Sequence, residues 1–278
     1  MEDYQPIIQF SEELAARALA SNYPKNDVRI DFFNLIANLT YQYYLEQIAL
    51  ESSALFKNEK LRCTELNFYH KINDFVKLAE NEVLAKSYLN STNRGLLIDS
   101  WSSFEVCLSS ICDKFFSEKD KLSIQSKTYN DVEKCLNRYK LDEDTKKQIE
   151  GILVVKEFWL TSTNSKFTKL LSLLKKNYCK EDLEKDREFL LFLNKFRNTI
   201  HSNNIYFGND EKPYIFDCVD SHVEFRFDKG GLVKYDSIAS PFLFFRLIVR
   251  LTEVYTEIIS HLGDIEFIPY ADIYAGEY

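Results

Sequence analysis

A mostly α-helical bundle with a small β-hairpin insertion before the last helix is the fold this sequence predicts, and three observations carry it. Apolar residues recur three and four apart over long stretches, which is the period of one helix face. Glycine and proline are scarce, at 7 and 5 among 278 residues, too few for the many turns of a sandwich, a barrel or a βα-repeat fold. The alternation of half-buried strands is confined to about 205–236. Since 45% of the residues are hydrophobic, a sizeable core can form, and 22 Phe and 17 Tyr point to thick helix–helix interfaces.

The elements follow in order. Residues 1–24 predict a short amphipathic helix around Ser11–Ala20, with Ser11 as its start and Asn22-Tyr23-Pro24 as its close. Asn26 or Asp27 then starts a long helical run in which Val28, Phe32, Ile36, Leu39 and Tyr43 share a face. Without a breaker between Asp27 and Asn90, one very long helix or two or three stacked ones fit. Ser91-Thr92-Asn93-Arg94-Gly95 is the first breaker cluster, so residues 1–90 are expected to form a helical N-terminal subdomain and 91–278 the bundle. Trp101, Phe104, Leu108, Ile111 and Phe115 predict the next helix, with Glu105 inside it, either as a solvated glutamate or leaning from the turn after Trp101 toward a cleft where it would hold Arg197.

Short helices are expected near Asp131–Tyr139 and Glu143–Phe158. A cap cluster at Thr161–Ser165 opens a helix with Phe167, Leu170, Leu174 and Tyr178 on one side. Lys166, Lys169, Lys175, Lys176 and Lys180 make this the most basic stretch. Lys175, Lys176 and Lys180 are candidate phosphate contacts, and they also suit a helix C-terminus, where cations offset the dipole. After the helix at 182–201, Ile205–Phe207, Tyr214–Phe216 and Val223–Phe227 read as strands, with Asp228–Gly231 as a hairpin turn and Leu232–Tyr235 returning. Ser240-Pro241 starts the last helix, whose seam is Phe244, Ile248, Leu251, Tyr255, Ile258 and Leu262, and Gly263 stops it.

The formal net charge of −8 disfavours general nucleic-acid binding, which needs a lysine and arginine surface, so any such contact is local to a cleft. A basic membrane-binding face is disfavoured for the same reason. The most apolar stretch, Phe242–Val254, is interrupted by Arg246 and Arg250 and is too short and charged to span a bilayer. The six cysteines, at 63, 107, 112, 135, 179 and 218, lack zinc-knuckle spacing and read as free thiols of a reducing cytoplasm. MEDYQPIIQF lacks a signal-peptide h-region, which fits the same cytoplasmic location.

The chemistry-bearing stretch is Asp182–Asn204. Phe189, Leu193, Phe196 and Ile200 form its apolar face, and Leu190, Asn194, Arg197 and His201 run beside it. Residues four apart on a helix stack one above the other, so Arg197 and His201 point into one space. A permanent cation and a group that exchanges a proton near neutrality then share a cleft, rimmed by Asn194 and Asn198. His222, before a strand, is a weaker second candidate, and His70 and His261 read as surface or helix-end residues. A histidine and an arginine at a helix C-terminus also serve simply to cap its carbonyls, so a structural role stands beside the chemical one.

Four packed helices, at 95–116, within 131–178, at 182–201 and at 240–262, with R-N-x-x-H closing the third, resemble the HEPN superfamily of microbial defence, toxin–antitoxin and RNA-processing proteins. The family motif is an arginine, often followed by asparagine, then four to six residues and a histidine; here only Asn198–Ile200 lie between Arg197 and His201. The resemblance implies an RNA endonuclease that needs no metal or other cofactor, acting as a homodimer that brings two motifs to one cleft. It implies His201 as the proton carrier, Arg197 as the stabiliser of phosphorane charge and Asn198 as the orienting group. Phage defence or toxicity held by an antitoxin partner is the implied setting. A non-catalytic helical module that binds RNA, nucleotide or a protein partner is the second reading, which the acidic charge suits.

Overall fold

A computed structural model describes residues 4–55, 77, 81–124, 139, 141–149, 158, 161–176, 178–218, 222–235 and 242–269. The chain is mostly helical, with one two-stranded antiparallel hairpin before the last helix. The helices are α1 (Gln5–Ala20), α2 (Val28–Leu55), α3 (Glu82–Phe115), α4 (Glu118–Ser123), α5 (Thr163–Leu174), α6 (Lys180–His201) and α7 (Leu243–Ser260). Strands β1 (Tyr214–Asp217) and β2 (His222–Phe225) pair with Tyr214 opposite Phe225 and Asp217 opposite His222. None of the helices, among the described residues, is long and apolar enough to cross a membrane.

Several boundaries differ from the sequence expectation. Helix α1 starts at Gln5 because Pro6 sits in its first turn, where proline lacks no bond it would otherwise make. Ser11 is therefore no cap; it is buried inside α1, and its hydroxyl donates to the Ala37 carbonyl at 2.8 Å. Ser91–Gly95 breaks nothing, since α3 runs through it. Thr92 Oγ1 turns back onto the Tyr88 carbonyl at 3.1 Å, and one glycine costs a helix only about 1 kcal/mol, which the flanking turns absorb. Ile205 makes an isolated bridge to Leu232 where a strand was expected. The expected helix at 131–139 lies almost entirely outside the described residues, and of 143–158 only 143–149 and Phe158 are described, as helix.

The chain divides into two compact units, each built from separated segments: Met1–Ser21, Phe32–Ser103 and Phe196–Thr252 in the first, Asn22–Asp31, Phe104–Lys195 and Glu253–Tyr278 in the second. Both units thus draw on residues from either side of the Asn90–Ser91 boundary expected from composition.

In the first unit, Ile7, Leu14 and Ala18 of α1 are buried, as are Phe32, Phe33, Ile36, Tyr43 and Leu50 of α2. Phe10 meets Phe245 edge-on at 5.4 Å, and Tyr4 meets Phe242 at 5.3 Å, which seats α1 against the start of α7. The Tyr43 hydroxyl donates to Asn93 Oδ1 at 2.8 Å and sets the register of α2 on α3. The inward rows of the hairpin, Phe216, Val223 and Phe225, are buried, as are Phe244, Ile248 and Leu251 of α7.

In the second unit, α5 is caught between its neighbours. Its N-cap Ser162 accepts from the Ser165 amide, as the cap cluster predicts. Phe167, Leu170, Leu171 and Leu174 are buried, Lys169 pairs with Asp120 at 2.8 Å, and Lys166 Nζ donates to Ser109 Oγ of α3 at 3.0 Å. Lys166 is 2% exposed, so this member of the basic stretch faces the core; its aliphatic stem makes that tolerable and burial pushes its amine down from the usual range.

The second unit is also pinned by a buried ion pair. Asp27 and Arg29 have 0% and 1% of their side chains exposed. Asp27 Oδ1 accepts from the Arg29 amide at 2.9 Å and from Arg29 Nε at 2.8 Å, while Oδ2 accepts from Arg29 Nη2 at 2.7 Å and from the Ile268 amide at 3.0 Å. Arg29 Nη2 also donates to the Ile265 carbonyl, and the guanidinium lies 3.8 Å over the Tyr23 ring. Burial on its own pushes the Asp27 carboxyl up; the hydrogen bonds from Arg29 and the Ile268 amide outweigh it and hold the group below its ordinary range.

Asp27→Ala leaves the guanidinium buried without its carboxylate and is expected to destabilise the protein by about 3–5 kcal/mol in urea unfolding. The Asp27 contribution is complete above the unfolded carboxylate pKa of about 3.9 and is lost as pH falls through the lower folded value. Stability of Asp27→Asn should therefore fall less steeply than that of the parent as the pH drops below about 4.

Candidate functional site

The end of α6 belongs to the first unit. Phe196, Thr199 and Ile200 are buried there, at 1%, 2% and 7% exposure, so the opposite side of the last turn turns outward. Arg197 is half-buried, and Asn198 and His201 are exposed. A Schellman closure fixes this end: the Asn204 amide donates back to the Thr199 carbonyl at 2.7 Å, and Asn203 takes the left-handed conformation at φ 55°. Asparagine tolerates that conformation better than most residues, so the Asn203-Asn204 pair is a local stop signal. His201 is thereby the last helical residue, one turn beyond Arg197. Arg197 Nη1 donates to Asn198 Oδ1 at 3.2 Å, so the asparagine lies against the guanidinium.

Aromatic packing holds this turn in place. The Phe196 ring meets Phe225 of β2 at 5.0 Å, Tyr235 at 5.5 Å and Phe244 of α7 at 5.9 Å. Tyr235 in turn stacks on Phe225 at 5.1 Å. Burial pushes the Tyr235 phenol up, and the Arg94 guanidinium of α3 acts on it in the opposite sense. Arg94 is half-buried and makes no ion pair among the described residues. Neither Arg94 nor Tyr235 was expected near the motif. Arg94 is one letter of a polar cluster and Tyr235 ends a hairpin return, and nothing local to either marks their proximity.

Two of the expected supporting residues bond to residues of the second unit. Glu105 Oε1 accepts from Thr163 Oγ1 at 2.7 Å, and Asn194 Nδ2 donates to Asn164 Oδ1 at 2.8 Å. Both therefore engage α5. Lys175 and Lys176 are exposed just past the end of α5, as the dipole favours. Lys180, expected with Lys175 and Lys176 at a helix C-terminus, is instead the first residue of α6, at the positive end of a helix dipole, with Glu181 and Asp182 beside it as counter-charges.

The remaining candidates have structural surroundings. His222 Nδ1 lies 2.7 Å from Asp217 across the hairpin with both side chains exposed, and His261 Nε2 lies 2.9 Å from Glu257 while its ring leans on Tyr178. His70 lies outside the described residues. Burial holds the Cys107 and Cys112 thiols up, in their unreactive form. Comparison with family models, with curated proteins and with solved structures finds no match for this chain.

Phe196→Ala removes the ring on which three others converge and is expected to cost about 3–5 kcal/mol in urea unfolding. Amide hydrogen exchange at 200–205 should lose protection more than the α1 amides do.

Proposed function

We propose that this chain is an endoribonuclease of HEPN type, in which Arg197 and His201 act on one phosphodiester without a metal ion. The observation that carries the reading is an exposed imidazole at the last position of α6, one turn from a half-buried guanidinium that leans on Asn198. In this reaction the RNA 2′-oxygen attacks the adjacent phosphorus and the bond to the 5′-oxygen breaks. The products are a 2′,3′-cyclic phosphate and a 5′-hydroxyl. His201 takes the proton from the 2′-hydroxyl or gives one to the leaving oxygen. Arg197 stabilises the charge that builds on the equatorial oxygens, and Asn198 keeps its guanidinium aimed.

One chain supplies one such imidazole, whereas the reaction uses both a base and an acid. A homodimer that brings two motifs together divides those roles, and RNA is the substrate class. The exposed Lys175 and Lys176 are the phosphate contacts of this reading. Action in phage defence or as an antitoxin-controlled toxin follows from the family likeness alone. The second reading, a non-catalytic module that binds RNA, nucleotide or a protein partner, draws on the net charge of −8.

EDTA-treated protein should cleave a 5′-labelled RNA to cyclic-phosphate ends. His201→Ala should lower the rate by about 10²–10⁴-fold. Arg197→Ala should lower it by about 10²–10³-fold, as loss of one charge-stabilising donor does. Unchanged cleavage by His201→Ala overturns the mechanism. RNA binding without cleavage in the parent protein selects the second reading.

A further inference from the structure

The first unit holds an open groove of about 250 Å³ between α2 and α3, and none of its lining residues is one assigned above. Tyr88, Thr92, Gly95 and Asp99 of α3 line it at spacings of four, three and four, so they share one face. Gln42 and Glu46 line it from α2. The space above Gly95 is open: a Cβ added there would meet nothing within 4 Å. Leu39 and Leu96 supply apolar wall.

The charges sit at opposite ends. The Tyr43–Asn93 hydrogen bond sets the middle of the pairing. Glu46 lies toward Tyr88, whose phenol is pushed up by burial first and by Glu46 second. As α2 ascends from 43 to 46, α3 descends from 93 to 88, so the helices run antiparallel and Asp99 marks the far end. The eleven steps of α3 from Tyr88 to Asp99 span about 16 Å at about 1.5 Å each. Among the described residues neither Glu46 nor Asp99 makes an ion pair, and both are exposed.

That layout selects a ligand class. An anion is repelled at both ends. A divalent metal ion needs several oxygens within about 2.3–2.6 Å of one point, which carboxylates at the two ends of the groove cannot supply together. A chain with ammonium groups at its ends and methylenes between matches the two carboxylates, the phenol and the apolar walls at once. We propose that the α2–α3 groove binds a linear aliphatic polyamine, with its terminal ammonium groups on Glu46 and Asp99 and its methylenes over Gly95. The site is independent of Arg197 and His201.

Isothermal titration of the full chain with spermidine, near physiological ionic strength, tests this. Saturable binding of one molecule per chain is expected, weakened at least tenfold in Gly95→Leu, which fills the groove, and in Glu46→Gln/Asp99→Asn, which removes its charge. Circular dichroism checks that the variants fold; should Gly95→Leu unfold, the carboxamide pair decides alone. Putrescine, too short to reach both ends, should bind more weakly. The proposal is overturned if the parent binds no spermidine saturably, if the variants bind it equally well, or if magnesium displaces it in proportion to charge alone. His201→Ala should leave the titration unchanged, so failure here and failure of the nuclease reading are separate results.

Discussion

The convergence of Phe225, Tyr235 and Phe244 on Phe196 is the constraint on which the candidate site depends. One ring ties the last turn of α6 to the hairpin and to the final helix, within a single unit. Edge-to-face pairs of this kind add about 0.5–1.5 kcal/mol each beyond the area they bury, and they fix orientation as well as position. A helix end is ordinarily the first part of a helix to fray. Here the packing that buries Phe196 and Ile200 leaves Asn198 and His201 exposed and Arg197 half-buried. The small β insertion therefore has a physical role: it is a wall against which a helix terminus is held.

The second unit solves a different problem. Its Asp27–Arg29 pair puts two opposite charges where almost no water reaches. Such a pair is tolerable only when the remaining donors and acceptors are met, and here they are: backbone amides supply the carboxylate, a carbonyl and an aromatic face supply the guanidinium. The Tyr255 hydroxyl donates to the Val28 carbonyl at 3.1 Å, close to the same pair. Polar matching of this kind contributes less to net stability than to the uniqueness of the packing, because alternative arrangements would strand a charge.

The helical core was legible because burial on one helix face imposes a local period. The seams through Phe32 and Ile36, through Phe104 and Leu108, and through Ile248 and Leu251 are all buried as their spacings require. The strands near 214–216 and 223–225 were legible from alternation, although they pair with each other while the expected turn at Asp228–Gly231 joins only an isolated bridge, Arg226 to Lys234. The stop was legible from Gly263, which takes a left-handed φ of 73°. The motif was legible because Arg197 and His201 are one turn apart in sequence. What escaped was set by distant partners. Asp27 and Arg29, two residues apart, look like any surface acid and base until Ile265 and Ile268 return to them. Lys166 looks like one lysine among five, and only its long stem allows it to point inward. Ser91–Gly95 looks like a turn, yet the helix on each side carries it through. Glu105 and Asn194 take partners on α5 that no spacing along their own helices encodes.

The bond from the Ile268 amide to Asp27 joins residues 241 positions apart, and the second unit is assembled from three separated segments. Closing so long a loop is slow relative to forming local helical turns, because chain entropy is lost before the contact stabilises anything. During synthesis on the ribosome, the carboxylate of Asp27 has its guanidinium within reach early but waits for Ile268 to complete its set. The early helices therefore emerge with a charged pair still wet and an apolar surface still bare. Assembly of this unit follows translation of the segment that carries Ile268, and the nascent chain is most exposed to proteases and chaperones until that moment.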